Sequence, residues 1–491
     1  MKLRDWQIEC IHSAISQYKS SKHFFVLATP GAGKTVMATV LAKLLYEQGD
    51  IDLVICFSPS SIVAHDFREA LSEQFDAHFD GSIGALGNSF TYQALKTLDD
   101  KVWRLFEKYR VFVIFDEIHH CAGSSIKDAN AWGKPIITMI KEKSTFTIAL
   151  SGTPWRSDSL PIALAGYCNK SLKVKCDYIY GLKEAIADNV CRIPQVVVLD
   201  NDKIAVIEGD ETRHFNSFTD LLSQSVIPYS DIVTNTSVIQ QLLLHSSRKL
   251  KELRRINKKA GGLIVASSIT HAWQIQRILK QFFGELAVVV TSDECNGTDV
   301  IRSYRYSQKA WIISVGMISE GTNIPRLQVC CYLSNVKTEM NYRQVLGRIL
   351  RITDAPNQQA FLFIPAEPKL TEYAFRVSQD IPDGLEKVKF AQMSEDFITE
   401  ALVVDENEKY TDHNITAKNI KKQRVCISDT SNELYENLDV FNDFPPYTEK
   451  FSTEKVMEIF GKFNYRELEI DGLKISESSM KKINQHSLEA F

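Results

Sequence analysis

The chain has 491 residues, of which 44% are hydrophobic and 24% charged, and its formal net charge is −4 with an isoelectric point near 6.3. This length predicts about two to four domains, each with its own core, and the composition is ordinary for a soluble globular protein. The chain has no overall positive charge that would indicate nucleic-acid binding, although an acidic protein can still carry a local basic groove.

The N-terminus, the apolar runs and the cysteines limit the class of protein further. The first residues lack the apolar region of a signal peptide, and no apolar run has the length of a membrane span. The ten cysteines are scattered without a C-x-x-C pair, so neither a zinc knuckle nor a redox motif is indicated. We therefore expect a cytoplasmic protein with buried, reduced thiols and no membrane contact.

Short apolar runs alternate with helix-like segments along the first half of the chain. These runs lack strict polar alternation, which is typical of strands buried on both faces, and the strand–helix–strand order indicates a parallel sheet. The predicted strands are residues 24–28, 53–57, 111–115 and 146–150, and helical patterns lie at 36–46 and 62–75.

The same alternation restarts in the second half, with predicted strands at residues 262–266, 286–290, 311–315, 329–333 and 360–364. Two shorter strands are predicted between the two series, at 196–199 and 204–207. Beyond about residue 380 the chain is polar but too rich in aromatic residues for plain disorder. We therefore predict an α/β fold with domain 1 at 1–195, a linker or small insertion at 196–235, domain 2 at 236–378 and a small accessory or partner-binding domain at 379–491.

A glycine-rich loop follows the first predicted strand directly and leads into a helix. Small residues let backbone N–H groups surround the phosphates of a nucleoside triphosphate, and the helix N-terminus adds positive dipole. Lys34 is expected to reach the β- and γ-phosphates, and the Thr35 hydroxyl to hold Mg²⁺. The sequence therefore predicts ATP and Mg²⁺ as ligands, at Pro30, Gly31, Ala32, Gly33, Lys34 and Thr35.

Two carboxylates end the apolar run at 111–115. Asp116 can hold Mg²⁺ through water, and Glu117 can polarise the water that attacks the phosphate. A zinc site of the metalloprotease type would need two histidines one helical turn apart. His119 and His120 are adjacent and point in different directions, which argues against zinc, and His120 is interpreted as an ordinary polar loop residue.

The stretch Asp116-Glu117-Ile118-His119 resembles the DEAH-type Walker B box of superfamily two helicases and translocases. Other boxes of that family match in chain order from residue 3 to about 365, and the resemblance implies two tandem RecA-like parallel-sheet domains. Before and after Walker B, the matches are Leu3-Arg4-Asp5-Trp6-Gln7 (entry segment), Ser58-Pro59 (box Ia), Thr91-Tyr92-Gln93 (a substrate-strand contact) and Ser151-Gly152-Thr153-Pro154 (box III). In the second half they are Ala266-Ser267-Ser268 with His271-Ala272 (box IV), Glu320-Gly321-Thr322-Asn323-Ile324-Pro325 (box V) and Gln344-x-x-Gly347-Arg348-x-x-Arg351 (box VI).

The resemblance also implies roles for single residues. Gln7 is expected to contact adenine, and His119 to couple the γ-phosphate to box III. Gly321 and Asn323 of box V are expected at the nucleotide, with Asn323 standing where Asp is common. In box VI, Gln344, Arg348 and Arg351 are expected to act on ATP from the second domain, because a guanidinium can clamp phosphate oxygens.

The nucleic-acid strand is expected to lie across the carboxyl ends of both sheets. Contacts there go mostly to phosphates, through backbone N–H groups, helix N-termini and hydroxyls. The basic runs at 248–259 and 418–424 are either DNA surfaces or solvated faces, the first with Leu250 and Leu253 inward. The candidate hydroxyl contacts are Ser60, Thr91, Ser268, Thr270 and Thr322.

The choice of substrate depends on two details. DEAD-box RNA helicases usually show His-Arg-x-Gly-Arg in box VI and Asp-Glu-Ala-Asp in Walker B, and neither occurs here. Residues 180–186 together with box VI look more like the motors of restriction enzymes, repair translocases and phage annealing helicases. We predict an ATP-dependent DNA helicase or translocase. The alternatives are an RNA helicase, or an ATP-driven regulatory or recruiting subunit of a DNA defence or repair complex whose protein partner binds the C-terminal domain.

Overall fold

The computed structural model of the chain describes residues 2–153, 156, 160–168, 174–208, 210–291, 297–316, 324–355, 358–378 and 455–468. The chain divides into two units. The first comprises Met1–Ala205, His214–Lys389 and Glu458–Phe491 and carries both parallel sheets. Of the second, Val206–Arg213 and Phe390–Met457, only residues 206–208, 210–213 and 455–457 are described.

The strands of the described residues form two large sheets and one small pair. They are β1 (His23–Ala28), β2 (Leu53–Ser58), β3 (Gly87–Thr91), β4 (Val111–Asp116), β5 (Phe146–Ser151), β6 (Gly166–Tyr167), β7 (Val174–Lys175), β8 (Tyr178–Tyr180), β9 (Ile193–Glu208), β10 (Glu211–Phe215), β11 (Gly261–Ala266), β12 (Ala287–Val290), β13 (Trp311–Ser314), β14 (Leu327–Leu333), β15 (Gln359–Pro365) and β16 (Lys455–Leu468).

The helices alternate with these strands along most of the described chain. They are α1 (Asp5–Gln17), α2 (Lys34–Glu47), α3 (Ser61–Phe75), α4 (Asp100–Lys108), α5 (Gly133–Pro135), α6 (Leu182–Ala187), α7 (Phe218–Gln224), α8 (Tyr229–Thr234), α9 (Thr236–Ile256), α10 (Ile269–Phe283), α11 (Gly297–Tyr306), α12 (Glu339–Ile349) and α13 (Pro368–Ser378), with short irregular helices at Tyr92–Lys96, Ile118–His120 and Ile136–Ile140.

The first sheet has the strand order β3-β2-β4-β5-β1-β8, and every neighbouring pair is parallel. Its central strand β4 is buried along its whole length, as expected of a strand covered on both faces. Because parallel strands end at one edge, the register brings the carboxyl ends of β1, β4 and β5 together: Leu27 lies beside Ser151, and Asp116 beside Leu150. This edge carries the phosphate loop, Walker B and box III.

The second sheet has eight strands, of which six are parallel neighbours in the order β9-β15-β14-β11-β13-β12, and β10 and β16 both lie beside β9. Helix α9 packs on β14 and β15 with Leu250 and Leu253 buried. The prediction of an α/β fold with two tandem parallel-sheet domains is therefore confirmed, and the ends of the predicted core strands agree with the structure to within two residues.

Residues 196–199 and 204–207 are strand as predicted, but the predicted break between them was wrong, because both belong to the single strand β9. The intervening polar residues suggested a turn, but their side chains bond to the local backbone: Asp200 accepts from the Asn201 N–H (2.9 Å) and Asn201 from the Lys203 N–H (2.9 Å). Residues 193–199 pair in parallel with β15, so the segment predicted as a linker starts inside the second sheet.

The passage from the first sheet to the second is short, since β9 begins at Ile193, directly after residues 188–192, which follow α6. Arg192 is fully buried there and donates hydrogen bonds to the carbonyls of Leu327 (2.6 Å) and Ile349 (3.1 Å). The domain boundaries at residues 195, 235 and 378 remain a prediction. Of the accessory domain predicted at 379–491, only β16 is described. None of the described helices combines the length and the apolar character needed to cross a membrane.

Candidate functional site

The phosphate loop joins β1 to α2 through two glycines in the left-handed region. Gly31 has φ of 86° and Gly33 has φ of 95°, conformations that side chains with a Cβ rarely adopt. A Cβ on Gly33 would also lie 2.9 Å from the Gln7 amide nitrogen. The glycines are therefore required by the curvature of the loop, which presents the N-terminus of α2 to the cleft.

Helix α1 holds this loop from the side. The Arg4 guanidinium donates to the Ala32 carbonyl (2.6 Å), and the Gln7 side-chain amide donates to the Gly33 carbonyl (2.9 Å). The side-chain carbonyl oxygen of Gln7 accepts a hydrogen bond of 2.9 Å from the backbone N–H of Arg4, which closes a small network. Gln7, predicted to contact adenine, thus lies against the phosphate loop, and the supporting role of Arg4 was missed although the R-x-x-Q spacing pointed to it.

Lys34 is the centre of the charge arrangement at the loop. It is 9% exposed, its ammonium donates to the Ala28 carbonyl (3.1 Å), and it lies 3.5 Å from the Glu117 carboxylate. The other carboxylate oxygen of Glu117 accepts from the Gly152 N–H at 3.2 Å. Thr35 follows on the first turn of α2 and is half-buried. The structure therefore brings the predicted lysine, the Walker B carboxylate and box III together.

The pKa values of the two neighbouring carboxylates are shifted in opposite directions. Burial, and next the negative charge of Glu117, raise the pKa of Asp116. Burial acts in the same direction on Glu117, but the positive charges of Lys34 and His119 and the Gly152 N–H outweigh it and lower its pKa. A divalent cation would stabilise the ionised form of Asp116, so the chemistry of this pair fits Mg²⁺.

The backbone of Glu117 is strained. Its φ of 49° and ψ of 52° lie in the left-handed region, which is uncommon for a residue with a side chain. This conformation turns the chain sharply after β4 into the short helix Ile118–His120. The turn places the Glu117 carboxylate toward Lys34 and the His119 ring toward box III.

His119 connects three predicted boxes. It is 1% exposed; its Nδ1 lies 2.9 Å from the Ser151 hydroxyl and 3.4 Å from the Glu117 carboxylate. Its Nε2 lies 3.4 Å from the amide nitrogen of Gln344, which belongs to α12 beside the second sheet. His119 therefore contacts box III and box VI at once. The His120 ring packs against His119 with centroids 4.6 Å apart.

Box VI lies against the phosphate loop at Gly347. A Cβ on Gly347 would lie 2.5 Å from the Pro30 Cβ, and a Cβ on Gly152 would lie 3.1 Å from the Pro30 Cδ. The Pro30 ring is thus held between box III of the first domain and box VI of the second. Residues of both domains therefore line the cleft at the phosphate loop.

The two arginines of box VI lie at this junction. The positive charge of Arg348 acts on Asp116, lowering its pKa against the larger effect of burial. The Arg351 side chain approaches Gly31, because a Cβ there would be 3.1 Å from the Arg351 Cγ. Burial and the like charges of Arg348 and Arg305 lower the pKa of Arg351 to about 9. A phosphate group entering the cleft would offset this accumulation of positive charge.

Sequence reasoning missed two further supports of Walker B. The fully buried Tyr92 donates its hydroxyl to the Asp116 carbonyl at 2.7 Å. The Arg156 guanidinium donates to the His119 carbonyl. Both residues stand in or beside matched boxes, but only the fold shows what they contact. Among the described residues, no group of three or more His, Cys, Asp or Glu side chains is arranged to hold a metal ion.

Four candidate nucleic-acid contacts lie at carboxyl ends of strands. Ser60 caps α3 after β2, accepting from the Val63 N–H at 3.4 Å, and Ser268 caps α10 after β11, accepting from the His271 N–H at 3.1 Å. Thr91 ends β3, and Thr270 is exposed on the first turn of α10. The two domains thus present equivalent capped helix N-termini, a geometry suited to phosphates.

Three of the seven basic residues in the run 248–259 make local contacts. Lys251 pairs with Glu285 (2.8 Å), Lys249 pairs with Glu252 (2.9 Å), and Arg254 donates to the Gln308 carbonyl (2.9 Å). With Leu250 and Leu253 buried, the interpretation as a solvated helix face is the better supported one. The remaining predicted site residues lie outside the described part of the chain: Pro154, Glu320, Gly321, Thr322, Asn323 and the run 418–424.

Comparisons with known proteins agree with this geometry. A family model described as type III restriction enzyme, res subunit, matches residues 1–156. An uncharacterized protein of Mycobacterium tuberculosis is 28% identical over 388 residues, which cover 76% of this chain and 62% of that protein. The chain thus spans about three-fifths of the length of this relative. The DNA 3′-5′ translocase XPB2 of Sulfurisphaera tokodaii is 22% identical over 382 residues, covering 72% of this chain and 80% of that one.

Among solved structures, a fragment assigned as the HsdR subunit of a type I restriction enzyme from Vibrio vulnificus superposes with a TM-score of 0.52 at 14% identity. The superposition covers 76% of this chain and 65% of that one and shows the same fold of tandem RecA-like domains. Residues 1–156 therefore match the family model of the res subunit of type III restriction enzymes, and the ordered boxes and the two-domain cleft resemble those of superfamily two helicases and translocases.

Proposed function

We propose that the chain is an ATP-dependent DNA helicase or translocase that hydrolyses ATP between its two RecA-like domains. The observation that carries the proposal is the contact between His119 of Walker B and Gln344 of box VI, 3.4 Å apart across the domain junction. A site assembled from two domains changes when the domains move, so hydrolysis and domain movement are linked.

The first domain supplies the residues for the triphosphate. Lys34 would bind the β- and γ-phosphates, which requires it to exchange its present contact with Glu117 for the ligand. Thr35 and Asp116 would hold Mg²⁺, which supplies positive charge to the phosphates when bound. Glu117, whose carboxylate would then be available, would accept a proton from the attacking water.

The second domain supplies Arg348 and Arg351. Each guanidinium is a permanent cation that can hold phosphate oxygens in two places, and such a residue is worth about 10³–10⁵ in rate in other phosphoryl-transfer enzymes. Gln344 and His119 would couple the nucleotide-bound state to box III, because His119 contacts both Gln344 and Ser151. These roles follow from the positions of the residues at the junction.

The nucleic-acid strand would contact the carboxyl edge of both sheets. Ser60 and Ser268 cap equivalent helices there, and Thr91 and Thr270 add hydroxyls. Contacts of this kind go to phosphates and carry little sequence information. DNA is favoured over RNA because the relative from Sulfurisphaera tokodaii is named as a DNA translocase and the matched family model and solved fragment come from restriction enzymes.

A second candidate is a motor subunit that recruits or regulates a protein partner, for example in DNA repair or antiviral defence. The observation in its favour is that the matched family model describes one subunit of a restriction enzyme. Under this proposal the chain alone would hydrolyse ATP on DNA but would not complete the reaction.

The test is the rate of ATP hydrolysis with single-stranded DNA, duplex, forked DNA and RNA, with Lys34→Ala and Glu117→Gln as inactive controls. We expect DNA to raise the rate more than RNA does, and Mg²⁺ chelation to abolish it. No stimulation by any nucleic acid would contradict the motor function, and a stronger response to RNA would contradict the preference for DNA. If the isolated chain fully unwinds forked DNA, the subunit proposal loses its basis.

A further inference from the structure

The position of the box VI arginines depends on α12, and α12 is held at its first residue by α13. The Glu339 carboxylate accepts from the Arg343 Nε on α12 (2.8 Å) and from the Arg376 Nη1 on α13 (2.9 Å). The side chains of Glu339, Arg343 and Arg376 are 11%, 14% and 23% exposed. One carboxylate thus joins the helix that carries Gln344 and Arg348 to the helix that follows β15.

Aromatic packing reinforces the same junction. The rings of Tyr342 and Tyr373 lie 5.9 Å apart, and the Tyr373 hydroxyl donates to the Lys337 carbonyl just before α12 (3.2 Å). The start of α13 is fixed too, because Glu367 accepts from the Leu370 N–H (2.9 Å) and lies 3.8 Å from the Lys337 ammonium. Helix α13 therefore contacts the N-terminal end of α12 through charge, ring and backbone contacts together.

Helix α13 also reaches the ATP cleft. Val377, on its last turn, lines a small cavity of about 50 Å³ together with Pro30, Gly152, Leu346 and Gly347. These are the residues that bring the phosphate loop, box III and box VI together. A displacement of α13 would therefore change both ends of α12: its first residue through Arg376, and its glycine contact with Pro30 through Val377.

The energetics favour a positioning role over a merely stabilising one. Removing one partner of a mostly buried charge pair costs more stability than removing one partner of an exposed pair, because the remaining charge stays desolvated. Loss of Arg376 would remove the ion pair between α12 and α13 and leave Glu339 paired with Arg343, a residue of the same helix. The C-terminal part of α12, with Arg348, would then be free to shift relative to Pro30.

We propose that Glu339 and Arg376 are positioning residues for the box VI arginines, and that α13 is the element through which ATP hydrolysis can be tuned from outside the nucleotide cleft. This inference rests on the proposed function, since it assigns the network a role in ATP hydrolysis. Neither residue touches the nucleotide site itself; both act through α12.

The structure offers a matched control. Arg376 holds two carboxylates, Glu339 on α12 through Nη1 and Glu372 on α13 itself through Nη2 (2.6 Å). The Glu372 side chain is 54% exposed, against 11% for Glu339. Glu372→Gln removes one partner of Arg376 without touching α12, whereas Glu339→Gln removes the link between the helices.

The experiment compares Glu339→Gln, Arg376→Met, Arg376→Lys and Glu372→Gln in the full chain. Backbone hydrogen exchange without nucleotide is measured first, and amides of α12 should exchange about threefold faster or more in Glu339→Gln and Arg376→Met. In steady-state ATP hydrolysis, kcat should fall about tenfold in these two variants with KM within about twofold, because an interaction made only in the transition state is lost. Arg376→Lys should recover part of kcat, and Glu372→Gln should match the parent.

Two results would overturn the inference: unchanged exchange in α12, or faster exchange in α12 with a parental kcat. An effect of Glu372→Gln equal to that of Glu339→Gln would also overturn it, because the link between the helices would then not be the cause. A parent protein that hydrolyses no ATP would instead contradict the proposed function. The exchange measurement needs no nucleotide and would still show whether the network holds α12.

Discussion

The Tyr92 hydroxyl donates a hydrogen bond of 2.7 Å to the backbone carbonyl of Asp116, and the tyrosine is fully buried. Tyr92 directly follows Thr91, a candidate contact to the nucleic-acid strand, and Asp116 is the candidate Mg²⁺ ligand. The bond therefore joins, through one side chain, the strand end that carries the candidate nucleic-acid contact to the candidate Mg²⁺ ligand. A movement of Thr91 on binding DNA would reach the end of β4 without passing through the phosphate loop.

Substitution of Tyr92 by phenylalanine should weaken this connection. The ring and its packing on Trp132 stay, but the Asp116 carbonyl loses its donor. We expect the stimulation of ATP hydrolysis by DNA to fall about tenfold, together with a loss of stability of about 1 kcal/mol for the unsatisfied carbonyl. The measurement is the ratio of ATPase rates with and without DNA.

Tyr18→Phe is the matched control for this prediction. Tyr18 is also buried and donates to a strand carbonyl of the first sheet, that of Thr147 on β5, at 3.0 Å. Its loss should cost similar stability and leave the stimulation ratio as in the parent. Equal effects of the two substitutions on that ratio would contradict the connection.

Glu117→Gln should separate nucleotide binding from hydrolysis. The substitution keeps the shape of the side chain but removes the carboxylate that would accept the proton of water, so we expect a fall in turnover of about 10² or more with ATP still bound. Lys34→Ala should lose binding as well, because the phosphates lose their cation. Fluorescent-nucleotide binding and steady-state ATPase measure the two effects.

Glu47→Gln is the control for Glu117→Gln. Glu47 pairs with Lys43 on the same helix α2 at 3.5 Å, the separation found between Lys34 and Glu117, but its side chain is 55% exposed. Its removal should alter neither binding nor turnover. A parental rate for Glu117→Gln would mean that another group accepts the proton.

Gly347→Ala should prevent the two domains from meeting at Pro30. The added Cβ would lie 2.5 Å from the Pro30 Cβ, a distance that forces α12 away from the phosphate loop. We expect ATP turnover to fall about 10²-fold, as misplacement of a catalytic group by about 1 Å can cost that much. Gly166→Ala, where the nearest atom would be Lys175 Cβ at 3.9 Å, should be harmless. Similar turnover in both variants would contradict the close approach.

The stability of the protein should depend on His271 between about pH 4 and 6.5. Burial lowers the pKa of His271 to about 4, so within this window the unfolded chain binds a proton that the folded chain does not. Stability is therefore lost as the pH falls through the window, by up to about 3 kcal/mol at its lower end. Urea unfolding at about pH 5 and 7.5 should show a larger loss for the parent than for His271→Asn.

A control for the pH prediction is His65→Asn, on the exposed face of α3, where the side chain is 51% exposed. The stability of this variant should change with pH in the same way as the stability of the parent. If His271→Asn also follows the parent, the pH dependence has another source.

The phosphate loop and Walker B could be predicted because their signals are local. Small residues, a lysine and a helix follow β1 directly, and two carboxylates end a wholly apolar strand. Even here the buried strand was predicted to end one residue early, since a carboxylate suggests solvent, whereas Asp116 is 8% exposed at the end of β4. Its buried position depends on neighbours from other parts of the chain.

The contacts that orient the site could not be predicted, because they join residues distant in sequence. Tyr92 and Asp116 are 24 positions apart, and Arg376 and Glu339 are 37 apart. The hydrophobic periodicity of a sequence does not show in which direction such side chains point. The continuous strand β9 was missed for a related reason: Asp200 and Asn201 are typical turn residues, and only their bonds to nearby N–H groups explain how the strand passes through them.

The short passage between the sheets has a consequence for how the molecule unfolds. Residues 188–192 include three buried side chains; Cys191 donates from its thiol to the Pro30 carbonyl (3.5 Å), and Arg192 is bonded inside the second domain. Melting either sheet would thus remove a support from the other. The tandem domains should lose their structure in one cooperative transition, and a flexible insert at this passage should split that transition into two.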